Sequence, residues 1–218
     1  MLAYLFWHSP REDTTDIYEQ AIERFHRSIA RQPPVGFLGS ACYRAGSIPW
    51  LGGTSGYEDW YLVEDYTALG VLNEAAVAQG HVSAHEQAAR ALGRGTAGLY
   101  RLCEGAIKSR DVSLSIWVTA AHASGHDAVA GLLMADGSDG EHTALWRRQL
   151  VLGPAPEYCL LAACRPSGVL PSRLPKDWAA LELRREALWC SEYADLEAER
   201  REHRGGCAAA STDRHSDR

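Results

Sequence analysis

Tyr4-Leu-Phe-Trp-His-Ser-Pro10 is the stretch on which the fold turns. Tyr4, Phe6 and His8 alternate with Leu5 and Trp7, and this period of two, ended by Ser9-Pro10, marks a strand with two different faces. Asp16 followed by Glu19 has capping-box spacing, and Tyr18, Ile22, Phe25 and Ile29 then recur at helical spacing until Pro33-Pro34 stops them. Gly36-Phe-Leu-Gly-Ser-Ala-Cys-Tyr-Arg44 and Tyr57-Glu-Asp-Trp-Tyr-Leu-Val-Glu64 read as an antiparallel hairpin. The connection between them carries Gly46, Pro49, Gly52, Gly53 and Gly56. It is long for a hairpin and holds Trp50 and Leu51, which predicts that it folds over an opening as a lid. Asp65-Tyr-Thr opens an alanine-rich helical region through Leu69, Leu72 and Ala76 to about Leu92, interrupted at Gly80, and Leu99-Tyr-Arg-Leu-Cys103 is a further strand.

The pattern starts again near Ser113 in rougher form. Leu114-Ser-Ile-Trp-Val-Thr119 is followed by a helix near His126 to Met134, then by strands at Ala144 to Leu152 and Glu157 to Ala162 around the turn Gly153-Pro-Ala-Pro156. Pro166, Pro171 and Pro175 stand where a second helix would be, and the apolar positions from Leu181 to Trp189 supply a last strand or helix. A β-α-β-β-α-β order is the ferredoxin-like arrangement, an antiparallel sheet with helices on one face. The expected fold class is therefore α+β, with two fused ferredoxin-like halves, 1–105 and a degenerate 106–195, whose antiparallel sheets pack into an α+β barrel. The remainder, 196–218, is charged and rich in small residues and is expected to be a disordered tail.

Composition narrows the partners. The 218 residues include 46% hydrophobic residues, ample for a core, and a formal charge of −6 gives no broad basic surface for a phosphate backbone. The N-terminal apolar run lacks a basic flank and reads as a strand rather than a signal peptide. No stretch approaches the roughly 18 apolar residues of a spanning helix, so a cytoplasmic protein without nucleic-acid or membrane partners is expected. Six cysteines without a CxxC pair fit free thiols in a reducing compartment.

The element order over about residues 3 to 190 resembles the dimeric α+β barrel superfamily, here within one chain. Tyr4-Leu-Phe-Trp-His-Ser-Pro10, Tyr57-Glu-Asp-Trp-Tyr61 and Leu145-Trp-Arg-Arg-Gln149 look like features of an uncharacterised bacterial family. The superfamily includes cofactor-independent monooxygenases, polyketide cyclases of antibiotic biosynthesis, lactone isomerases and haem proteins of the chlorite dismutase kind. The resemblance thus implies a small-molecule site but does not choose the reaction. It also leaves a monomer with an internal pseudo-dimer and a homodimer both open.

His8 ends a strand, where a neutral imidazole can act as a general base; the plainer reading is a histidine bonded to a neighbouring loop. Tyr57, Asp59 and Tyr61 share one strand face, and Glu58, Trp60 and Leu62 the other. If the Asp59 face turns inward, the carboxylate can move protons; otherwise it pairs with an arginine such as Arg147 or Arg148. Arg147 and Gln149 share a face and can hold an oxyanion, against the commoner ion pair at a sheet edge. Tyr4, Trp7, Tyr57, Trp60, Trp117 and Trp146 are the candidate substrate walls, since seven tryptophans and nine tyrosines against three phenylalanines suit a cavity for an aromatic ligand, or a dimer interface.

Metal signals are weak. His81 and His85 have helical spacing but read as a solvated helix face, and Gly125 interrupts His122 and His126. Gly93, Gly95 and Gly98 have dinucleotide-loop spacing but follow a helix, the reverse of the Rossmann order. The expectation is a cofactor-independent, metal-free enzyme transferring protons on an aromatic or polyketide-like substrate. A haem enzyme and a non-catalytic binding protein are the alternatives.

Overall fold

The structure, a computed structural model, describes residues 1–78, 80–105, 112–120, 127, 129–131, 143–150, 155–162 and 174–191. In the first half, β1 (Leu2–Pro10), α1 (Thr15–Arg31), β2 (Phe37–Ile48), a short 3-10 turn (Pro49–Leu51), β3 (Thr54–Val63), α2 (Tyr66–Ala76), α3 (Val82–Ala91) and β4 (Leu92–Gly105) follow one another. The second half contributes β5 (Leu114–Thr119), β6 (Thr143–Arg148), β7 (Tyr158–Ala162) and β8 (Ala179–Cys190).

These strands close into a barrel in the order β1-β3-β2-β8-β5-β7-β6-β4, with every neighbouring pair antiparallel. Cut at β2/β8 and β4/β6, the ring falls into β4-β1-β3-β2 and β8-β5-β7-β6. Each half thus has its last strand beside its first, then its third, then its second, the ferredoxin-like order in both. Closure leaves no free sheet edge in either half. The proline-spaced last segment settles as a strand, with Leu181 and Leu183 paired against Trp117 and Ser115.

Local chemistry explains most boundaries. Asp65 caps α2, its carboxylate accepting from the Ala68 amide at 2.9 Å. The helical region after it divides on either side of Gly80 into α2, which ends at Ala76, and α3, which starts at Val82. The Asp16–Glu19 capping box does not form: α1 begins at Thr15 and has no side-chain cap, because Glu19 is drawn to Arg44 and Tyr57 instead. The long hairpin connection is shorter than its glycines imply, since β2 runs on to Ile48 and β3 starts at Thr54. The turn between them folds inward, with Leu51 buried and the Trp50 ring 5.2 Å from Trp7 and 5.1 Å from Trp117. Gly93, Gly95 and Gly98 lie inside β4 rather than before it. A Cβ on Gly93 would sit 2.5 Å from the Pro10 carbonyl oxygen, so β1 and β4 approach only because no side chain is there.

The period-two alternation sorts side chains into two layers. Ala3, Leu5, Trp7, Tyr43, Trp60, Leu62, Tyr100, Trp117, Trp146, Cys159, Leu161 and Leu183 fill the barrel interior. On the outside, Leu2, Phe37, Tyr61, Val63 and Leu99 receive Phe25 and Ile29 of α1, Ala68 and Leu72 of α2, and Ala84 of α3. In the second half Leu114, Ile116, Val118, Leu145, Tyr158 and Leu160 form the equivalent outer layer against Val129. The tail 196–218, the helix expected near His126 to Met134 apart from 127 and 129–131, and the prolines 166 and 171 lie outside the described residues. Among the described residues no helix is long and apolar enough to cross a membrane.

Candidate functional sites on the two faces of one sheet

The same alternation that builds the barrel divides the candidate residues. On β1, Trp7 points into the lumen and His8 away from it; on β3, Glu58 and Trp60 point in and Tyr57, Asp59 and Tyr61 point out. Adjacent residues of a strand cannot line one cavity, so His8 and Asp59 do not share a pocket with the tryptophan walls. Two separate polar constellations result.

The lumen holds a buried ion pair. Glu58 and Arg185 have wholly buried side chains, with Arg185 Nη1 2.5 Å from Glu58 Oε1. Trp60 Nε1 donates to the same oxygen at 2.8 Å, and Trp7 Nε1 donates to Oε2 at 2.9 Å. Arg185 Nη2 donates to the Val112 carbonyl at 3.0 Å, and its guanidinium lies 4.1 Å from the Tyr43 ring centroid. Around this pair Trp7, Trp50, Tyr100 and Trp117 meet edge to face at 5.1–6.3 Å, and Trp146 meets Trp60 at 5.5 Å. Among the described residues, three buried donors here have no acceptor: Trp50 Nε1, Trp146 Nε1 and Arg185 Nε.

The second constellation lies between the sheet and α1. Asp59 Oδ2 is 3.0 Å from His8 Nε2, and Asp59 Oδ1 is 3.3 Å from His26 Nε2. Neither contact is aligned as a hydrogen bond, so that among the described residues His8 Nε2 and Asp59 Oδ1 have no hydrogen-bond partner. His8 Nδ1 lies 2.7 Å from the Tyr18 hydroxyl and His26 Nδ1 2.9 Å from Ser40 Oγ. The Tyr61 hydroxyl donates to Asp59 Oδ2 at 3.2 Å, and Cys42 stands opposite Asp59 in the β2–β3 register. Burial alone would push the Asp59 carboxyl up, but the two imidazoles outweigh it and hold the carboxyl well below the usual range. Burial pushes the Tyr18 and Tyr61 hydroxyls and the Cys42 thiol up, with the Asp59 charge adding to each.

Several placements correct the sequence-based picture. Asp59 pairs with two histidines, not with Arg147 or Arg148. Arg147 is on the surface, bonded to Glu157 at 3.1 Å, and Arg148 donates to the Ala155 carbonyl. Gln149 is half-buried near Tyr66 and donates to the Arg147 carbonyl, so neither Arg147 nor Gln149 reaches His8 or Asp59. Tyr4 and Tyr57 stand on the outer face, Tyr57 stacked 5.6 Å from His8 and donating to Glu19, while Trp7, Trp60, Trp117 and Trp146 share the lumen. His81 is buried against Ser28 rather than solvated, and His85 packs on Phe25. His122 and His126 lie outside the described residues. All four described histidines lie outside the lumen, so none of them could be the axial ligand of a haem bound there.

His26, Cys42, Glu58 and Arg185 were not singled out as functional from the sequence. His26 falls on the apolar stripe of α1, four residues after Ile22 and three before Ile29, and Arg185 continues the inward alternation of Leu181 and Leu183. A polar side chain in register with an apolar face was the available signal in both.

The fold is the α+β barrel. No protein-family model and no curated protein matches the sequence. Among solved structures, a proposed monooxygenase from Fusobacterium nucleatum subsp. nucleatum superposes with a TM-score of 0.60 at 10% identity, over 88% of this chain and 94% of that one. A proposed monooxygenase from Lactobacillus acidophilus gives 0.55 at 10% identity over 88% and 96%. An anthrone oxidase-like protein gives 0.54 at 8% identity over 88% and 93%. At such identities the likeness is one of architecture.

Proposed function

We propose that the barrel lumen binds a planar, conjugated small molecule rich in acceptor oxygens, and that the protein is an enzyme which stabilises the enolate or phenolate of that molecule without a cofactor. The observation that carries this reading is the set of three orphaned buried donors, Trp50 Nε1, Trp146 Nε1 and Arg185 Nε, in an aromatic lumen. A buried donor without a partner costs about 1–3 kcal/mol, and three of one sign on one lining call for carbonyl or oxyanion acceptors. Indole faces supply the stacking surface, and Arg185 supplies charge in a dry setting where it acts strongly on a developing oxyanion. Three donors already hold the Glu58 oxygens, and its role is to fix the guanidinium. The substrate must therefore be acidic enough to form its own carbanion. Oxygenation of such a carbanion is the reaction that the names of the structural neighbours favour, by analogy of fold alone.

The test is a titration with 1,8-dihydroxyanthraquinone, an unreactive planar compound with carbonyl and phenol oxygens, read by quenching of tryptophan fluorescence. Saturable quenching is expected, weakened about tenfold by Trp146→Phe, which removes one donor and keeps the ring. Absence of saturable quenching, or identical affinity in Trp146→Phe, would overturn the lumen as the binding site. Oxygen uptake with the corresponding anthrone then tests the reaction.

A further inference from the structure

The outer constellation is too well sealed for a substrate and too polar for a core. His8, His26 and Asp59 are at most 4% exposed, and Cys42 is fully buried, behind α1. Among the described residues no arginine or lysine bonds the Asp59 carboxylate, whose neighbours are His8, His26, Tyr61 and Cys42. Carboxylates buried away from water are paired with another group or coordinate a metal ion. The ligand atoms of His26, Cys42 and Asp59 lie within 4.8 Å of one another, and His8 Nε2, unpartnered, faces the same carboxylate at 3.0 Å.

We propose that His8, His26, Cys42 and Asp59 form a closed, four-ligand structural site for a divalent zinc ion, independent of the lumen on the other face of the sheet. Imidazole nitrogen, carboxylate oxygen and thiolate sulfur are all zinc ligands, and four protein ligands with no open position make a closed, tetrahedral site. Charge balance favours it: a carboxylate and a thiolate neutralise the ion, and the thiol proton leaves as the metal binds.

The shell around the ligands already has the form such a site needs. Each imidazole has its Nδ1 held by a hydroxyl, Tyr18 for His8 and Ser40 for His26. With Nδ1–H donating, both Nε2 lone pairs turn toward Asp59. The rings are fixed by stacking, His26 between Tyr61 at 4.9 Å and Trp189 at 5.2 Å, and His8 between Phe6 at 4.9 Å and Tyr57 at 5.6 Å. The four ligands come from β1, α1, β2 and β3, so an ion here would pin α1 to the three strands beneath it. Binding must draw the ligand atoms of His26, Cys42 and Asp59 inward from 4.8 Å and bring His8 Nε2 to them, because zinc bonds of about 2.0–2.3 Å do not span that separation at its widest.

The experiment uses the full-length, tag-free chain. Metal content by inductively coupled plasma mass spectrometry after dialysis against zinc sulfate should give one zinc per chain. Replacement by cobalt(II) chloride should give a thiolate-to-cobalt charge-transfer band and tetrahedral d–d bands. Cys42→Ser should abolish the charge-transfer band. Ser40→Ala, which removes only the hydroxyl behind His26, should keep the band and weaken zinc binding by about 10- to 100-fold. Zinc should raise the melting temperature of the wild type and not that of Cys42→Ser. Should Cys42→Ser fail to fold, the wild-type cobalt spectrum and the Ser40→Ala affinity decide. Sub-stoichiometric zinc with no cobalt thiolate band, or a band and affinity unchanged in the variants, overturns the site.

Discussion

Removing one member of the Glu58–Arg185 pair is expected to damage the protein more than removing both. Arg185→Met leaves a buried carboxylate with two indole donors and no countercharge. Glu58→Gln leaves a buried guanidinium whose Nε already lacks a partner. Breaking a buried pair from one side costs about 3–5 kcal/mol, whereas replacing both charges is often close to neutral. For a chain of this size that amounts to a fall in melting temperature of about 6–20 °C for each single variant. The Glu58→Gln/Arg185→Met double variant should lie above both singles, since the glutamine oxygen can still accept from Trp7 or Trp60 and the methionine fills the guanidinium's place. Urea unfolding followed by far-ultraviolet circular dichroism gives the four stabilities. Additive losses, with the double variant below either single one, would refute the reasoning and mean that water reaches the pair.

Three further outcomes follow from particular contacts. Gly56→Ala would place a Cβ 2.4 Å from the His8 carbonyl oxygen, which is backbone and cannot swing aside, so a loss of about 1–3 kcal/mol is expected in the same urea assay. Glu19 is bonded to Arg44 at 2.6 and 2.7 Å and to Tyr57 at 2.8 Å, and the Arg44 bond holds its carboxyl below the usual range against the opposing effect of burial. A depressed carboxyl contributes stability above its unfolded value of about 4.3 and loses it as the pH falls, so Glu19→Gln should flatten the acid limb below about pH 5. Trp50→Phe keeps the ring contacts with Trp7 and Trp117 but removes an orphaned donor, and should leave the melting temperature within a few degrees while weakening anthraquinone binding; unchanged affinity would detach Trp50 from the ligand.

The division of labour between sequence and structure is clearest at Trp7 and His8. Their alternation announced a strand with two unlike faces, and the order of strands and helices announced two ferredoxin-like halves closing a barrel. Both are local or nearly local properties, because strand period, helical spacing and turn chemistry depend on residues close in the chain. Trp60 and Trp146, on widely separated strands, were recognisable as walls from the excess of tryptophan and tyrosine, whose apolar body and polar tip suit a cavity lining. The face each strand turns inward was beyond the sequence, since alternation has no sign until a second layer covers one side. For β3, α1 supplies that sign: its apolar stripe, with His26 among Ile22, Phe25 and Ile29, lands on the Tyr57, Asp59 and Tyr61 face and drives Glu58 and Trp60 into the lumen. Asp59 therefore meets His8 and His26 instead of Arg147, and Glu58 meets Arg185, 127 residues away. Residue types and their periods reside in the sequence, whereas these partnerships exist only once the barrel closes and brings distant strands into register.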